Sequence, residues 1–168
     1  MAILPPPRDD LRPGQFFSWR ELTSSSTASR LGMDNAPSNE QKVNLRMLCY
    51  QCLDPLRRHL GKPVRVTSGF RTEALNKAIK GSKTSAHRYG LAVDIKVTGL
   101  DAHALMRAVI DSDIPFDQAI AYDPSRGGHL HLGLSTARNR KQTLWAPKGG
   151  GYEKYNWTKY LPLNRQSF

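Results

Sequence analysis

The sequence predicts an α+β domain in which helices cover a small, mainly antiparallel sheet. Three observations lead to this fold class. Several segments have the caps and the apolar spacing of helices, several shorter runs have the pattern of strands, and the two kinds follow one another in mixed order. The length of 168 residues allows one domain with a core and is too short for two ordinary domains.

Four segments are predicted to be helices. Two of them begin with a capping box, in which a serine stands three residues before a glutamate or glutamine: Ser18 with Glu21, and Ser38 with Gln41. The first helix is short and ends at Gly32, and the second runs from about 39 to 60 with a kink or break at Pro55. Further helices are expected in TEALNKAIKGSK and, after the cap Asp101, in DAHALMRAVIDS.

Four runs are predicted to be strands: PVRVTSGF, LAVDIKV, FDQAIAY and HLHLGL. The second of them is apolar enough for a central strand. After Leu134 the pattern of regular elements ends. The remaining segment is basic and contains many glycine and aromatic residues, so we expect an extended arm whose aromatic side chains dock on the domain or on a ligand.

Cys49 and Cys52 form the pair CYQC, a spacing shared with redox and zinc motifs. Both fall inside the apolar repeat of the long helix, and the chain has no further cysteine. A free cysteine packs as a small hydrophobic residue. We therefore expect both thiols to be reduced and to lie in the core.

The chain is basic, with 25 Lys and Arg against 14 Asp and Glu and a net charge of +11. Such a charge favours polyanionic partners, namely nucleic acid, anionic lipid or an anionic cell wall, and does not choose among them. The basic residues are spread along the chain without a nucleic-acid signature, so we expect no dedicated nucleic-acid function. The first fifteen residues contain four prolines and no apolar run long enough for a signal peptide or a membrane span.

A histidine and an aspartate stand seven residues apart in SAHRYGLAVDI, where His87 precedes a glycine turn and Asp94 lies in a predicted strand. A buried, ionised aspartate needs a cation or a metal nearby. In HLHLGL, His129 and His131 have strand spacing, so their side chains point to the same face. Two histidines with Asp94 could hold zinc with a fourth position open, as in catalytic zinc sites. Spacing alone equally allows a hydrogen-bonded pair of His87 and Asp94 beside an exposed HLH strand.

A resemblance to a known family rests on the pattern Ser-x-His-x-x-Gly-x-Ala-x-Asp, which the chain matches in full: Ser85, His87, Gly90, Ala92 and Asp94. The surrounding stretch resembles the signature of the zinc peptidases of the D-Ala-D-Ala carboxypeptidase type. The similarity extends upstream through FSWRELTSSSTASRLGMDN, which resembles the start of phage and prophage members, and downstream to HLHLGL. It covers residues 16–136. The resemblance implies the zinc fold shared with lysostaphin-type peptidases and the hedgehog signalling domain.

The resemblance also implies roles for individual residues. Zinc would be held by His87, Asp94 and His131, and His129 would stand beside the metal and help to stabilise the tetrahedral intermediate. Arg71, in SGFRT, matches the family arginine that engages a substrate carboxylate or carbonyl, and a planar guanidinium suits both tasks. The alternative for Arg71 is an ordinary surface salt bridge.

The general base is the part of the site where the chain departs from the family. Carboxypeptidase relatives often have an acid three residues before the last histidine, and this chain has Gly128 there. The segment YDPSRGGHLH instead resembles the hedgehog-like arrangement, in which an acid follows a tyrosine. Asp123 is therefore the candidate base. It could also be a turn residue before Pro124, in which case His129 is the alternative base or catalysis has been lost.

Three further residues are candidates for substrate binding: Ser85, Gln118 and Tyr122. Ser85 is expected to hydrogen-bond near the ligand loop. Gln118 could face the cleft or the solvent, and Tyr122 could line a groove or pack in the core.

The sequence therefore predicts a zinc-dependent peptidase that cuts peptide bonds in bacterial peptidoglycan, as a carboxypeptidase or an endopeptidase, and that a phage or prophage encodes. We divide the chain into an N-terminal tail, 1–15, a zinc peptidase domain, 16–136, and a basic, aromatic C-terminal extension, 137–168. The expected partners are peptidoglycan stem peptides, and the chain is expected to be a monomer. Without a signal peptide it would stay in the cytoplasm until released, or be part of the virion, and then act on the cell wall. The alternative is a noncatalytic peptidoglycan-binding or morphogenetic module that keeps the zinc fold.

Overall fold

The fold is built around one mixed sheet, as described by a computed structural model for residues 12–160. Within these residues the sheet has six strands in the order β1-β2-β4-β3-β5-β6. The strands are β1 (Arg65–Ser68), β2 (Ala92–Lys96), β3 (Gln118–Tyr122), β4 (Leu130–Gly133), β5 (Gln142–Ala146) and β6 (Glu153–Lys154). The α-helices of the same residues are α1 (Trp19–Thr23), α2 (Ser26–Leu31), α3 (Asn39–Leu48), α4 (Asp54–Leu60), α5 (Glu73–Ala78), α6 (Ala102–Asp111) and α7 (Trp157–Tyr160). Helices and a mixed sheet confirm the α+β fold class. No helix between residues 12 and 160 is both long and apolar enough to cross a membrane.

Four of the five strand pairings within the described residues are antiparallel, and the exception is β5, which runs parallel to β3. β5 and β6 lie after Leu134, where the sequence predicts no regular element. β5 shows no clear alternation of apolar and polar residues, and its conformation is set by long-range pairing. All of its residues, from Gln142 to Ala146, have partners on β3. Pairing of this kind leaves no local signal in the sequence.

The sheet has an apolar and a polar face because side chains alternate along each strand. The apolar face consists of alternate residues of β2, β3 and β4 that are completely buried: Val93, Ile95, Ala119, Ala121, Leu130 and Leu132. These residues form one core with the buried side chains of α3, α4 and α6. On the opposite face, Asp94, His131 and Ile120 are neighbours in one row across β2, β4 and β3. The residues between the core positions are thus directed to the face opposite the core.

The long helix predicted for residues 39–60 is divided into three parts. A π-helical turn, Cys49–Leu53, separates α3 from α4. The physical reason is Pro55, which lacks an N–H and whose ring clashes with the carbonyl four residues earlier in a regular α-helix. A π-helical turn opens the hydrogen-bond pattern at this point. Cys49 and Cys52 are fully buried and have free thiols, as expected.

Both predicted capping boxes are present, with Ser18 before α1 and Ser38 before α3. The first helix is shorter than predicted, because α1 ends at Thr23 and a separate helix, α2, follows. The side chain of Ser25 accepts a hydrogen bond from the N–H of Ala28 and so begins this new helix. Gly32 then ends α2 rather than α1, in the left-handed conformation with φ +61°.

Aromatic side chains of the C-terminal part pack on the sheet and on α6. Trp145 on β5 and Tyr155 after β6 are buried. The hydroxyl of Tyr155 forms a hydrogen bond of 2.7 Å with Nδ1 of His103 on α6, and the ring of Tyr160 stacks on the same histidine. Residues 1–11 of the predicted tail and 161–168 of the predicted extension lie outside the described residues. The division into tail, domain and extension stays a prediction.

We expect the substitution Gly69→Ala to destabilise the fold. A Cβ atom at this position would stand 2.2 Å from the carbonyl oxygen of Leu22, which accepts a hydrogen bond from the N–H of Phe70. Overpacking of this kind costs about 1–3 kcal/mol, and the free energy of unfolding should fall by that amount. Urea denaturation measures the loss, with Gly149→Ala as the control because nothing lies within 4 Å of a Cβ there. Equal stability of the two variants would contradict the close packing at Leu22.

We also expect His103 to make the protein less stable on mild acidification. Burial lowers the pKa of His103 below its ordinary value, against the opposing attraction of Asp101 and Asp123. The unfolded chain, in which histidine has a pKa of about 6.5, therefore binds more protons than the folded chain when the pH falls below that value. The contribution of the neutral His103 to stability is complete above pH ~6.5 and is lost as the pH falls towards the lower pKa of the folded state.

Thermal unfolding at neutral pH and at about pH 5.5 measures this effect. From neutral pH to about pH 5.5, the midpoint temperature of unfolding should fall more in wild type than in His103→Gln. His59→Gln is the matched control, because His59 is exposed on α4 and its replacement should leave the wild-type difference intact. An equal fall in wild type and His103→Gln would show that His103 does not cause the pH dependence.

Candidate metal centre

Three side chains from separate elements meet at the polar face of the sheet: His87, Asp94 and His131. Asp94 on β2 and His131 on β4 are direct cross-strand partners, so the register of the sheet brings them together. His87 comes from a 3₁₀ turn, Ala86–Tyr89, that ends at Gly90. Gly90 has φ +71°, and a Cβ there would stand 2.7 Å from a carbonyl oxygen of α3. Only glycine therefore lets the turn approach α3 and direct His87 to the sheet.

The facing atoms of these three side chains have the separations of metal ligands. Nδ1 of His131 lies 2.9 Å from Oδ1 of Asp94 and 3.2 Å from Nε2 of His87. Nε2 of His87 lies 3.3 Å from the same carboxylate oxygen. Tetrahedral zinc, with bonds of about 2.0–2.1 Å, separates its ligand atoms by about 3.3 Å. Two imidazole nitrogens and a carboxylate oxygen are donors that zinc accepts, so the residues present fit this ion.

Hydrogen bonds from outside orient two of the three candidate ligands. The Nδ1–H of His87 donates to the carbonyl oxygen of Gly69 at 2.7 Å, so Nε2 of the neutral ring carries no proton and is directed at the other two side chains. Nη2 of Arg71 donates to Oδ2 of Asp94 at 2.9 Å, and Nε of Arg71 donates to Ser68. Arg71 is only 14% exposed, so this ion pair is no ordinary surface salt bridge. Partners of this kind hold ligands in position for a metal.

The charges of Asp94 and His87 suit the binding of a cation. Burial raises the pKa of Asp94, but the attraction of His87 and the hydrogen bonds with both histidines hold this pKa well below its ordinary value. Burial lowers the pKa of His87. At neutral pH the carboxyl group of Asp94 is therefore ionised and His87 is neutral, and these are the states that bind a metal.

A cleft of about 580 Å³ opens onto the three candidate ligands. The four residues predicted to bind substrate line it as well: Arg71, Ser85, Gln118 and Tyr122. Gln118 faces this cleft and donates a hydrogen bond of 2.7 Å to Gln142 of β5. The fold thus brings these side chains together, and their roles in substrate binding stay predictions.

His129 lies beside the three candidate ligands. Its Nε2 is 3.9 Å from Oδ1 of Asp94, and its ring stacks on that of Tyr122 with the centroids 4.3 Å apart. Burial lowers the pKa of His129, so the ring is neutral at pH 7. His129 therefore occupies a place next to the metal ligands, and its part in catalysis stays a prediction.

Asp123, the candidate general base, is not among the residues that line this cleft. Its Oδ1 accepts hydrogen bonds from the N–H and the hydroxyl of Ser125, at 2.9 and 2.6 Å, and so caps the 3₁₀ turn Pro124–Arg126. These hydrogen bonds lower the pKa of Asp123. The residue lines a separate cleft, to which Tyr122 also contributes. Within the described residues Asp123 thus has the turn-forming position, and its role as a base stays a prediction.

Sequence reasoning missed six polar residues of the cleft: Lys80, Ser82, Thr84, Asp117, Arg140 and Tyr152. Arg140 and Asp117 form an ion pair of 2.6 Å. Asp117 could have been found, because it stands directly before Gln118 at the start of a predicted strand. Arg140 and Tyr152 belong to the segment after Leu134, where no local pattern indicates that the chain returns to the cleft.

We expect the protein to bind one zinc ion through His87, Asp94 and His131. The substitution His131→Ala removes one ligand and should weaken zinc affinity by more than about 100-fold. Loss of a residue that only orients a ligand costs at most about 100-fold, and loss of the ligand itself should cost more. Affinity should also fall with decreasing pH, because protons compete for the histidine nitrogens. Competition with a chromogenic chelator and metal analysis of the dialysed protein measure both effects. His59→Ala is the matched control, and equal zinc affinity of the two variants would refute the assignment of His131.

Comparison with known proteins agrees with this geometry. The family model of peptidase M15 matches residues 15–132, a range that includes the three candidate ligands and most of the sheet. No curated protein matches the chain significantly. The match covers most of the chain and includes the Ser-x-His-x-x-Gly-x-Ala-x-Asp motif of residues 85–94. The chain therefore belongs to the peptidase M15 family, the family of the zinc D-Ala-D-Ala carboxypeptidase type.

Proposed function

We propose that the protein is a zinc-dependent peptidase that cuts peptide bonds in bacterial peptidoglycan. One observation carries this proposal: two histidines and an aspartate with the separations of zinc ligands line a cleft in a chain of the peptidase M15 family. Structural zinc sites are usually closed by four protein ligands, whereas catalytic sites have three and keep one position open. The volume of about 580 Å³ is within the range of small-molecule sites, which suits a short peptide segment.

The side chains of the cleft would bind and orient the peptide. When bound, zinc would supply a Lewis acid that polarises the scissile carbonyl and lowers the pKa of the attacking water. Burial and the hydroxyl of Tyr152 raise the pKa of Tyr122, so Tyr122 keeps its proton and can donate it in a hydrogen bond to a carbonyl or carboxylate oxygen. The guanidinium of Arg71 is directed to the same cleft, and its remaining N–H groups are suited to a substrate carboxylate.

We infer that His129, rather than Asp123, moves the proton between the water and the leaving amine. Two observations support this choice. Nε2 of His129 lies 3.9 Å from the carboxylate of Asp94, and hence next to the ligand cluster. The carboxylate of Asp123 is bound to Ser125 and lines another cleft. Neither residue is among those that line the metal cleft, but a general base must reach the proton that it accepts, directly or through one water, and the 3.9 Å between His129 and Asp94 favours His129.

The charges of the cleft suit an anionic peptide. Three cationic side chains line it, namely Arg71, Lys80 and Arg140, of which Arg71 is paired with Asp94 and Arg140 with Asp117. Stem peptides carry carboxylate groups, which such cations bind by charge-assisted hydrogen bonds. The net charge of +11 would attract the protein to the anionic cell envelope, and salt should weaken that attraction. Both carboxypeptidase and endopeptidase action are compatible with this cleft.

We also infer a role in phage or prophage lysis, or in remodelling of the wall. The support is the similarity of the stretch FSWRELTSSSTASRLGMDN to the start of phage and prophage members. The protein would act on the wall as a monomer, after release from the cytoplasm or as part of the virion.

A second candidate function is a noncatalytic module that binds peptidoglycan. The observation in its favour is the lack of an acid in the expected places, since Gly128 replaces the family acid and Asp123 lines another cleft. Such a module would bind zinc and peptidoglycan and would not cut it.

Incubation with peptidoglycan sacculi tests the proposal. New free amino groups should appear, stop appearing when EDTA removes the metal, and appear again when zinc is restored. The substitution His129→Ala should lower the rate about 10²–10⁴-fold at unchanged zinc content, the loss typical of a general acid or base. Mass spectrometry of the released peptides identifies the bond that is cut.

Two controls make the result decisive. His59→Ala should keep wild-type activity, because His59 is exposed on α4 and is not among the residues that line the cleft. Asp123→Ala is measured in parallel, and a loss there with normal activity of His129→Ala would assign the base to Asp123. No release of amino groups by folded, zinc-loaded wild type would sink the peptidase proposal and favour the binding module.

A further inference from the structure

The C-terminal part of the chain contributes three side chains to the wall of the metal cleft, Arg140, Leu144 and Tyr152. Tyr152 lines the cleft together with the three candidate ligands, although it lies beyond residues 15–132, the range that matches the family. We propose that Tyr152 positions the substrate peptide in the cleft and is a binding residue that this chain adds to the family's site. This inference rests on the proposed function, since it concerns the same cleft and the same class of substrate.

Tyr152 is connected to the ligand cluster through two rings. Its hydroxyl lies 3.1 Å from that of Tyr122, and the two rings meet edge to face with centroids 6.3 Å apart. The ring of Tyr122 stacks on His129, whose Nε2 is 3.9 Å from Asp94. Tyr152, Tyr122 and His129 therefore form a continuous row from the C-terminal part of the chain to the metal ligands. A peptide bound at the ligands would contact this row along one side.

Tyr152 is held in place from both sides. Arg126 donates hydrogen bonds to the carbonyl oxygens of Pro147 and Gly151, at 3.3 and 3.0 Å, and so fixes the loop that leads to Tyr152. The next two residues form β6, which pairs with β5. The side chain is therefore positioned before a ligand arrives although it is 56% exposed. A positioned side chain loses less conformational entropy on binding, which favours affinity.

The chemistry of this corner suits a peptide with free carboxylates. Each tyrosine hydroxyl has one proton, and the contact between Tyr122 and Tyr152 uses one of the two, so the other is available for a carbonyl or carboxylate oxygen. The guanidinium of Arg126 lies 5.1 and 5.7 Å from the centroids of the two rings. The hydrogen bonds of Arg126 within residues 12–160 go to carbonyl oxygens, so its charge is not neutralised by a bonded carboxylate there. The corner thus offers a hydroxyl donor and a positive charge.

Kinetics on soluble muropeptides tests the role of Tyr152. Loss of one hydrogen bond in Tyr152→Phe should raise KM about 3–10-fold, and loss of the ring as well in Tyr152→Ala should raise it further. The kcat of both variants should stay within about 2-fold of wild type, since removal of binding that is equal in the ground and transition states changes KM alone. Zinc content should not change. Tyr89→Phe is the matched control, because Tyr89 is similarly exposed, at 50%, and is not among the residues of the cleft.

A double variant tests how the loop is held. If Arg126 acts by positioning Tyr152, Arg126→Ala should raise KM in wild type and have little further effect in Tyr152→Ala. Wild-type KM in both Tyr152 variants, or an effect on kcat alone, would overturn the proposal. A raised KM in Tyr152→Ala with a wild-type KM in Tyr152→Phe would show that Tyr152 contacts the peptide through its ring and not through its hydroxyl.

A binding measurement separates this inference from the proposed function. Calorimetry of a muropeptide with the His129→Ala protein measures affinity without hydrolysis. The double variant His129→Ala/Tyr152→Ala should bind the muropeptide at least about 3-fold more weakly than His129→Ala. Absence of hydrolysis by wild type, with binding that depends on Tyr152, would refute the peptidase and leave the positioning role intact. Hydrolysis by wild type, with binding and KM independent of Tyr152, would refute the positioning role alone.

Discussion

The register of β2 against β4 is the constraint on which the rest of the site depends. Asp94 and His131 are cross-strand partners, and a shift of one residue would direct one of them into the apolar core. The same register places Val93, Ile95, Leu130 and Leu132 against the helices. Because burial of these residues and pairing of Asp94 with His131 require the same alignment, the hydrophobic effect that stabilises the sheet also positions two of the candidate metal ligands.

Burial of the charge on Asp94 explains the arrangement around it. An isolated carboxylate with 8% exposure would be costly, and the fold surrounds it with His87, His131 and Arg71. Arg71 binds one carboxylate oxygen and leaves the other to the histidines. The backbone carbonyl of Gly69 then orients His87, and Gly69 itself is packed against Leu22 of α1. The candidate metal centre is in this way supported by contacts that reach to α1.

The part of the chain beyond the family match completes the cleft rather than forming a separate layer. β5 pairs in parallel with β3, and Trp145 and Tyr155 bury their rings in the core. From there the chain returns past Arg126 to Tyr152 at the cleft. The candidate ligands thus come from the part that the family model matches, and one wall comes from the part that lies beyond the match.

The sequence by itself determined the features that depend on neighbouring residues. Capping boxes marked the starts of α1 and α3, alternation marked the strands, and the motif around His87 and Asp94 identified the family because its spacing is local. Tertiary structure decided the rest. The pairing of β5 with β3 and the approach of Tyr152 to Tyr122 depend on contacts between residues far apart in the chain. Such contacts form only when the whole core is packed, and no local pattern encodes their geometry.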